Sequence, residues 1–271
     1  MTRHRYDVPA LARTLSLDRP TAPRLTWYGP GGERVELSGR VLANWVVKAG
    51  NLLVDECDAA PGTRVCLDLP VHWRWAVWLL ATWSVGACGV LDRPTGTVED
   101  PNAGTAEGPA TGTAAGPAAD PLCDVLVSTR PGAMSGTGPQ SVLAVALPGL
   151  ATAFPGSLPE GVIDATGAVR AQPDHPGYRP EIRADAAALA IEGAVSVLHG
   201  QLSDAVERAV TGAGWTAPVR LLCVDPAPAD AISWLLAPLL HGGSVVLVSA
   251  QAQEAEDLPR LTATEAVTAT Y

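Results

Sequence analysis

The sequence predicts an α/β protein with open, mainly parallel sheets and flanking helices. Two patterns carry that expectation. Short β-branched or apolar runs recur at 64–70 (RVCLDLP), 87–92 (ACGVLD), 123–129 (CDVLVST), 141–147 (SVLAVAL), 187–193 (AALAIEG), 219–225 (VRLLCVD) and 244–250 (SVVLVSA). Several are separated by segments of helical length and period, the rhythm of strand–helix–strand units in a parallel sheet. The chain has 271 residues, enough for one large α/β domain or two small ones.

The elements follow in order. Residues 1–19 form a tail or helix with early positive charges but no apolar stretch of the secretory type. Leu25–Tyr28 and Arg34–Leu37 flank a Pro-Gly-Gly turn and read as a hairpin. Ser38 is placed to cap a helix whose apolar face is Val41, Leu42, Trp45, Val46, Ala49, Leu52 and Leu53. Pro61-Gly62 ends that unit. The run HWRWAVWLLATWSVG (72–86) is apolar nearly all round, which predicts a buried helix. The uncharged stretch 75–91 is only 17 residues long and is interrupted by Gly86 and Gly89, so a core helix followed by a strand is preferred to a membrane span.

Residues 95–120 break the rhythm. Twenty of these 26 residues are Ala, Gly, Pro or Thr, a composition that buries too little surface to offset the entropy of ordering, so a flexible insertion is expected. It divides a first α/β segment (20–94) from a second (121–271) of the same domain. Within the second, 148–185 reads as irregular, 199–210 as a helix, and PADAISWLLAPLLHGG (228–243) as a helix stopped by its glycines.

Composition narrows the function. A net charge of −10 offers no basic footprint, so neither nucleic acid nor an anionic membrane is an expected partner. The cysteines at 57, 66, 88, 123 and 223 form no C-x-x-C pair and are expected to be reduced, buried thiols of a cytoplasmic protein. The five histidines are scattered, giving no metal-ligand spacing. The loop STRPGAMSGTGPQS (128–141) is glycine-rich but has neither a Walker lysine nor the G-x-G-x-x-G spacing. HGGS (241–244) has no G-x-S-x-G elbow to serve.

Taken in order, these segments resemble the N-terminal half of the adenylate-forming superfamily, which includes the acyl-CoA synthetases. Residues 25–94 look like that family's opening hairpin, helix, strand and apolar helix. VLHGQLSD (197–204) is similar to its "THrNL" element and WLLAPLLHGGSVVLVS (234–249) to its "PLl.GatvVl" element. The resemblance implies ATP- and Mg²⁺-dependent activation of a carboxylate. The family's phosphate loop, [ST]-G-[ST]-T-G-x-P-K-G, belongs between 191 and 197, where this chain has only Glu192-Gly193-Ala194-Val195-Ser196. The later adenine, ribose and Mg²⁺ motifs and the C-terminal domain with its catalytic lysine would lie beyond position 271. Lys48 is the only lysine, and arginine does not replace lysine at a fitted site.

The expectation is therefore a degenerate, non-catalytic relative acting as a binding or interaction module. It has no catalytic residue, metal ligand or cofactor, and it works with a protein partner or a second copy of itself. A small apolar ligand would sit at the C-terminal edge of the parallel strands. The candidate pocket residues are His199, Asp225, Pro226 and Trp234. The rival expectation is a carboxylate-activating enzyme that uses ATP and Mg²⁺ once a partner chain supplies the missing motifs.

Overall fold

A computed structural model describes residues 10–91, 123–132, 139–191, 197–253 and 257–271. The proposed insertion (95–120), the turn 192–196 and the centre of the glycine-rich loop (133–138) lie outside the described residues.

The first unit holds α1 (Leu11–Leu17), β1 (Pro23–Tyr28), β2 (Arg34–Ser38), α2 (Gly39–Cys57), β3 (Arg64–Asp68), α3 (Trp73–Ser84) and β4 (Cys88–Leu91). After it come β5 (Val125–Ser128), β6 (Ser141–Ala144), β7 (Val162–Asp164), α4 (Ala165–Ala171), β8 (Ala187–Ile191), β9 (Val197–Leu198) and α5 (Leu202–Gly212). The last stretch holds β10 (Arg220–Val224), α6 (Ala237–Leu240), β11 (Ser244–Val248), α7 (Ala250–Gln253), α8 (Leu258–Thr264) and β12 (Ala269–Thr270).

The strands form two sheets, ordered β12-β10-β11-β1-β2 and β7-β6-β5-β3-β4-β8-β9. All neighbours are parallel except the β1–β2 hairpin and the β8–β9 pair. The smaller sheet combines strands from both ends of the chain, and the middle of the chain builds the larger one. β7 and α4 lie in the stretch read as irregular. They form because Asp164 caps α4, accepting from Thr166 and Gly167 N–H at 3.0 and 3.1 Å.

Helix α3 is the centre of the core. Every residue from Trp73 to Trp83 is buried, as its all-round apolar pattern requires. Trp83 donates to the Ala188 carbonyl of β8 at 2.8 Å. On α2, Ser38 Oγ accepts from Val41 N–H at 3.3 Å, giving the predicted cap. Among the described residues no helix is long and apolar enough to cross a membrane.

Two local expectations change. The segment 228–243 is not one regular helix: a 3₁₀ turn (Pro228–Asp230) leads into a π-helical stretch (Ile232–Leu236) and then α6. Pro238 has no N–H to offer the Trp234 carbonyl four residues back, so the ladder loosens there. Cys223 Sγ approaches that carbonyl at 3.9 Å instead. The cysteines are also not all thiols. Cys66 on β3 is bonded to Cys123 just before β5, with Cα atoms 5.6 Å apart. The two meet because β3 and β5 are adjacent strands, a juxtaposition that sequence spacing hides. Cys57, Cys88 and Cys223 remain buried thiols.

Candidate functional site

Parallel pairing brings the C-terminal ends of β3, β4 and β5 to one edge. The end of β10 in the other sheet approaches the same edge. Between them lies a cleft of about 670 Å³, walled by the β3–α3 turn (67–71), Trp75, Leu91, Thr129-Arg130 and the turn 225–228. Open α/β sheets place ligands at this end of their strands.

The walls are mostly apolar, and the polar side chains are Asp68, Thr129, Arg130 and Asp225. Asp68 ends β3, where its carboxylate accepts from Ser128 Oγ at 2.6 Å and from the Arg130 guanidinium at 3.3 Å. Ser128 Oγ in turn accepts from Arg130 N–H at 2.8 Å. Among the described residues lining the cleft, Arg130 is the one basic side chain, and its charge is already paired.

Asp225 and Pro226 line the opposite wall. Asp225 adopts a left-handed backbone, φ +42°, a conformation that Asp tolerates better than most residues. Its N–H donates to the Val248 carbonyl at 2.9 Å, tying the turn to β11. Trp234 does not face the cleft. It is fully buried and stacks on Trp75, with ring centroids 5.5 Å apart. Its Nε1–H donates to the Ala227 carbonyl at 2.9 Å, so it supports the turn from beneath. His199 lies apart from the other three. It follows β9, which runs antiparallel to β8, so it sits near the start of β8 rather than its end. Its Nε2 meets the Ala87 carbonyl at 3.1 Å, and burial lowers its pKa, keeping the ring neutral.

Asp68, Ser128 and Arg130 were not singled out from the sequence. The signal was available, because Asp68 and Ser128 each close a predicted strand at the ligand-binding edge.

Other reactive groups are quiet. Burial pushes the Cys57 and Cys88 thiols up to about 11, far from a nucleophile's range. Among the described residues no group of three or more His, Cys, Asp or Glu gathers as metal ligands would. Lys48 is used within the fold. Its Nζ donates to the carbonyls of Gln172 and Arg170, clamping α2 to the end of α4.

No protein-family profile matches the chain. A Mycobacterium tuberculosis (strain ATCC 25618 / H37Rv) protein described as a TIGR03089 family protein is 33% identical over 254 residues, covering 92% of this chain and 91% of that one. Solved structures give the fold. A Brucella canis acyl-CoA synthetase superposes with a TM-score of 0.69 at 20% identity, over 97% of this chain and 46% of its own. The amide bond synthetase McbA from Marinactinospora thermotolerans gives 0.62 at 19%, over 97% and 48%. The N-terminal subdomain of Klebsiella oxytoca NpsA, in complex with anthranilyl-AMSN, gives 0.63 at 14%, over 98% and 58%. The chain thus spans about half the length of these structures and has the fold of the N-terminal region of adenylate-forming enzymes.

Proposed function

The chain belongs to the TIGR03089 family, and from that premise we propose that it is a non-catalytic binding module on the adenylate-forming fold. Its ligand is small and largely apolar and occupies the cleft between the β3–α3 turn and residues 225–228.

The placement of positive charge carries this reading. Adenylyl transfer depends on positioned cations and donors around the phosphates. Here the only lysine is spent on backbone carbonyls between α2 and α4, and the cleft's arginine is paired with Asp68. The apolar lining from Leu67, Leu69, Val71, Trp75 and Leu91 suits an uncharged body better than a triphosphate. In this reading the module works with a protein partner or a second copy of itself. The Cys66–Cys123 bond speaks against the cytoplasmic location expected from the sequence, because disulfides are rare there.

The test is the thermal midpoint with and without millimolar Mg²⁺–ATP, alongside ATP–pyrophosphate exchange over a panel of carboxylic acids. The midpoint should not move and no exchange should appear. Nucleotide present at 100 times its Kd would add about 2.7 kcal/mol, or about 5 °C for a chain of this size. A Mg²⁺-dependent rise of that order, or any carboxylate-dependent exchange, would overturn the reading in favour of a carboxylate-activating enzyme.

A further inference from the structure

A second recess of about 370 Å³ opens on the far side of Pro70-Val71, between the β1–β2 hairpin, residues 147–148 and the end of β11. His72, the N-cap of α3, lines it and is 3% exposed. Its Nδ1 accepts from Arg74 N–H at 3.0 Å. The neutral ring therefore carries its proton on Nε2. Burial, then the nearby Arg74 charge, holds its pKa down to about 3, so the ring stays neutral near pH 7.

That Nε2–H is a buried donor without a hydrogen-bond partner. Buried donors are normally satisfied, and leaving one unmet is costly. The nearest carboxylate oxygen, Glu33 Oε2, is 4.0 Å away. This is too far for a direct hydrogen bond, and with a neutral ring it is no ion pair. Glu33 itself is held in place. Its Oε1 accepts from Gly149 N–H at 2.6 Å, and its Oε2 accepts from Trp27 Nε1–H at 3.3 Å. Arg74 fixes the opposite rim by donating to the Pro148 carbonyl at 3.3 Å.

A donor and an acceptor 4.0 Å apart set the chemistry of what fits. One oxygen can reach both if it accepts from Nε2–H and donates to Oε2. A hydroxyl does this. A carboxylate cannot donate and would meet the Glu33 charge, and an ammonium cannot accept. Apart from Ser249 and Gln251, the remaining lining, including Trp27, Pro30, Val71 and Leu147, is apolar. We propose that this recess binds a small uncharged hydroxyl compound. Its oxygen bridges His72 and Glu33, and its apolar body lies against Trp27, Val71 and Leu147. The site is separate from the cleft at residues 225–228 and does not depend on what that cleft holds.

The experiment is a ¹⁹F NMR titration of the whole chain with 4-fluorophenol, compared with fluorobenzene and 4-fluorobenzoate. The phenol should bind saturably. The comparators, lacking the hydroxyl or carrying a charge, should bind at least about tenfold more weakly, the loss of one good hydrogen bond. Two variants place the site. His72→Asn keeps a cap acceptor for Arg74 N–H but removes the Nε2 donor, and Leu147→Trp fills the recess without touching the polar pair. Each should weaken the phenol by at least about tenfold while keeping a cooperative unfolding transition. The proposal fails if the phenol does not saturate, if 4-fluorobenzoate binds equally well, or if either folded variant binds the phenol as the parent does. Should His72→Asn not fold, Leu147→Trp decides alone.

Discussion

Replacing Cys66 and Cys123 together by alanine removes a cross-link that ties β3 to the start of β5. The bridged residues are 57 positions apart, so the cross-link withholds about 4 kcal/mol of loop entropy from the unfolded chain at 25 °C. For a chain of this length the unfolding entropy near the midpoint is about 0.6 kcal/mol/K. The double variant should therefore melt about 7 °C lower than the parent. Scanning calorimetry with and without a phosphine reductant measures it directly. Reductant should lower the parent's midpoint by a similar amount and leave the double variant unmoved. Thiol titration in denaturant gives an independent count: three reactive thiols before reduction and five after. Five thiols before reduction, or a midpoint insensitive to reductant, would refute the linkage and restore the expectation of free cysteines.

Two further outcomes follow from buried polar contacts. Trp234→Phe removes one of two hydrogen bonds to the Ala227 carbonyl, the other coming from Asp230 N–H at 3.1 Å, and weakens the stack on Trp75; urea unfolding should show a loss of about 1–2 kcal/mol, and amides of the 225–230 turn should exchange faster. An unchanged exchange rate would mean that the turn is held by other contacts. Acid stability reports on Glu265 and His72. Burial alone would raise Glu265, but hydrogen bonds from Tyr28, Arg34 and Arg220, with the Arg220 charge, hold it below the ordinary carboxylate value of 4.5. Its contribution is present above that value and is lost as pH falls through the lower, folded one. His72 is held at about 3 against an ordinary 6.5. The unfolded chain therefore binds the extra proton between those values, and stability falls on acidification by at most about 1.4 kcal/mol per pH unit. Denaturant midpoints from pH 3.5 to 7 should flatten above about pH 4.5 in His72→Asn, whereas Glu265→Gln should keep the parent's fall below about pH 6.5 and depart from the parent's slope only below about pH 4.5. Parallel curves for all three proteins would remove both assignments.

Much of the fold is legible because single periodicities decide it. The Leu42–Val46–Ala49–Leu53 face of α2 and the all-round apolar surface of α3 each have one way to be buried. Sheet membership is not legible, because no local pattern says that β1 pairs with β11 or that β12 joins β10. The Cys66–Cys123 bond is hidden for the same reason, since it depends on β3 and β5 being neighbours. At the cleft, Asp225 and Pro226 could be found from strand ends alone. Trp234 reads as a pocket residue, yet it faces inward because the π-helical stretch before Pro238 turns it onto Trp75. His72 is concealed within an apolar run, where its missing partner can be seen only in three dimensions.

The way the smaller sheet is assembled has a consequence for synthesis on the ribosome. Leu25–Tyr28 pairs in parallel with Val245–Val248, and Arg24 bonds to the Gly243 carbonyl 219 residues further on. At ~5–20 residues per second, the N-terminal hairpin waits on the order of 10–40 s for its central neighbour to emerge. Throughout that interval β1 has an open edge, and Trp75 of the tryptophan-rich α3 lacks Trp234, the ring it stacks on. Nascent chains of this protein are therefore expected to need shielding from aggregation until translation is nearly complete.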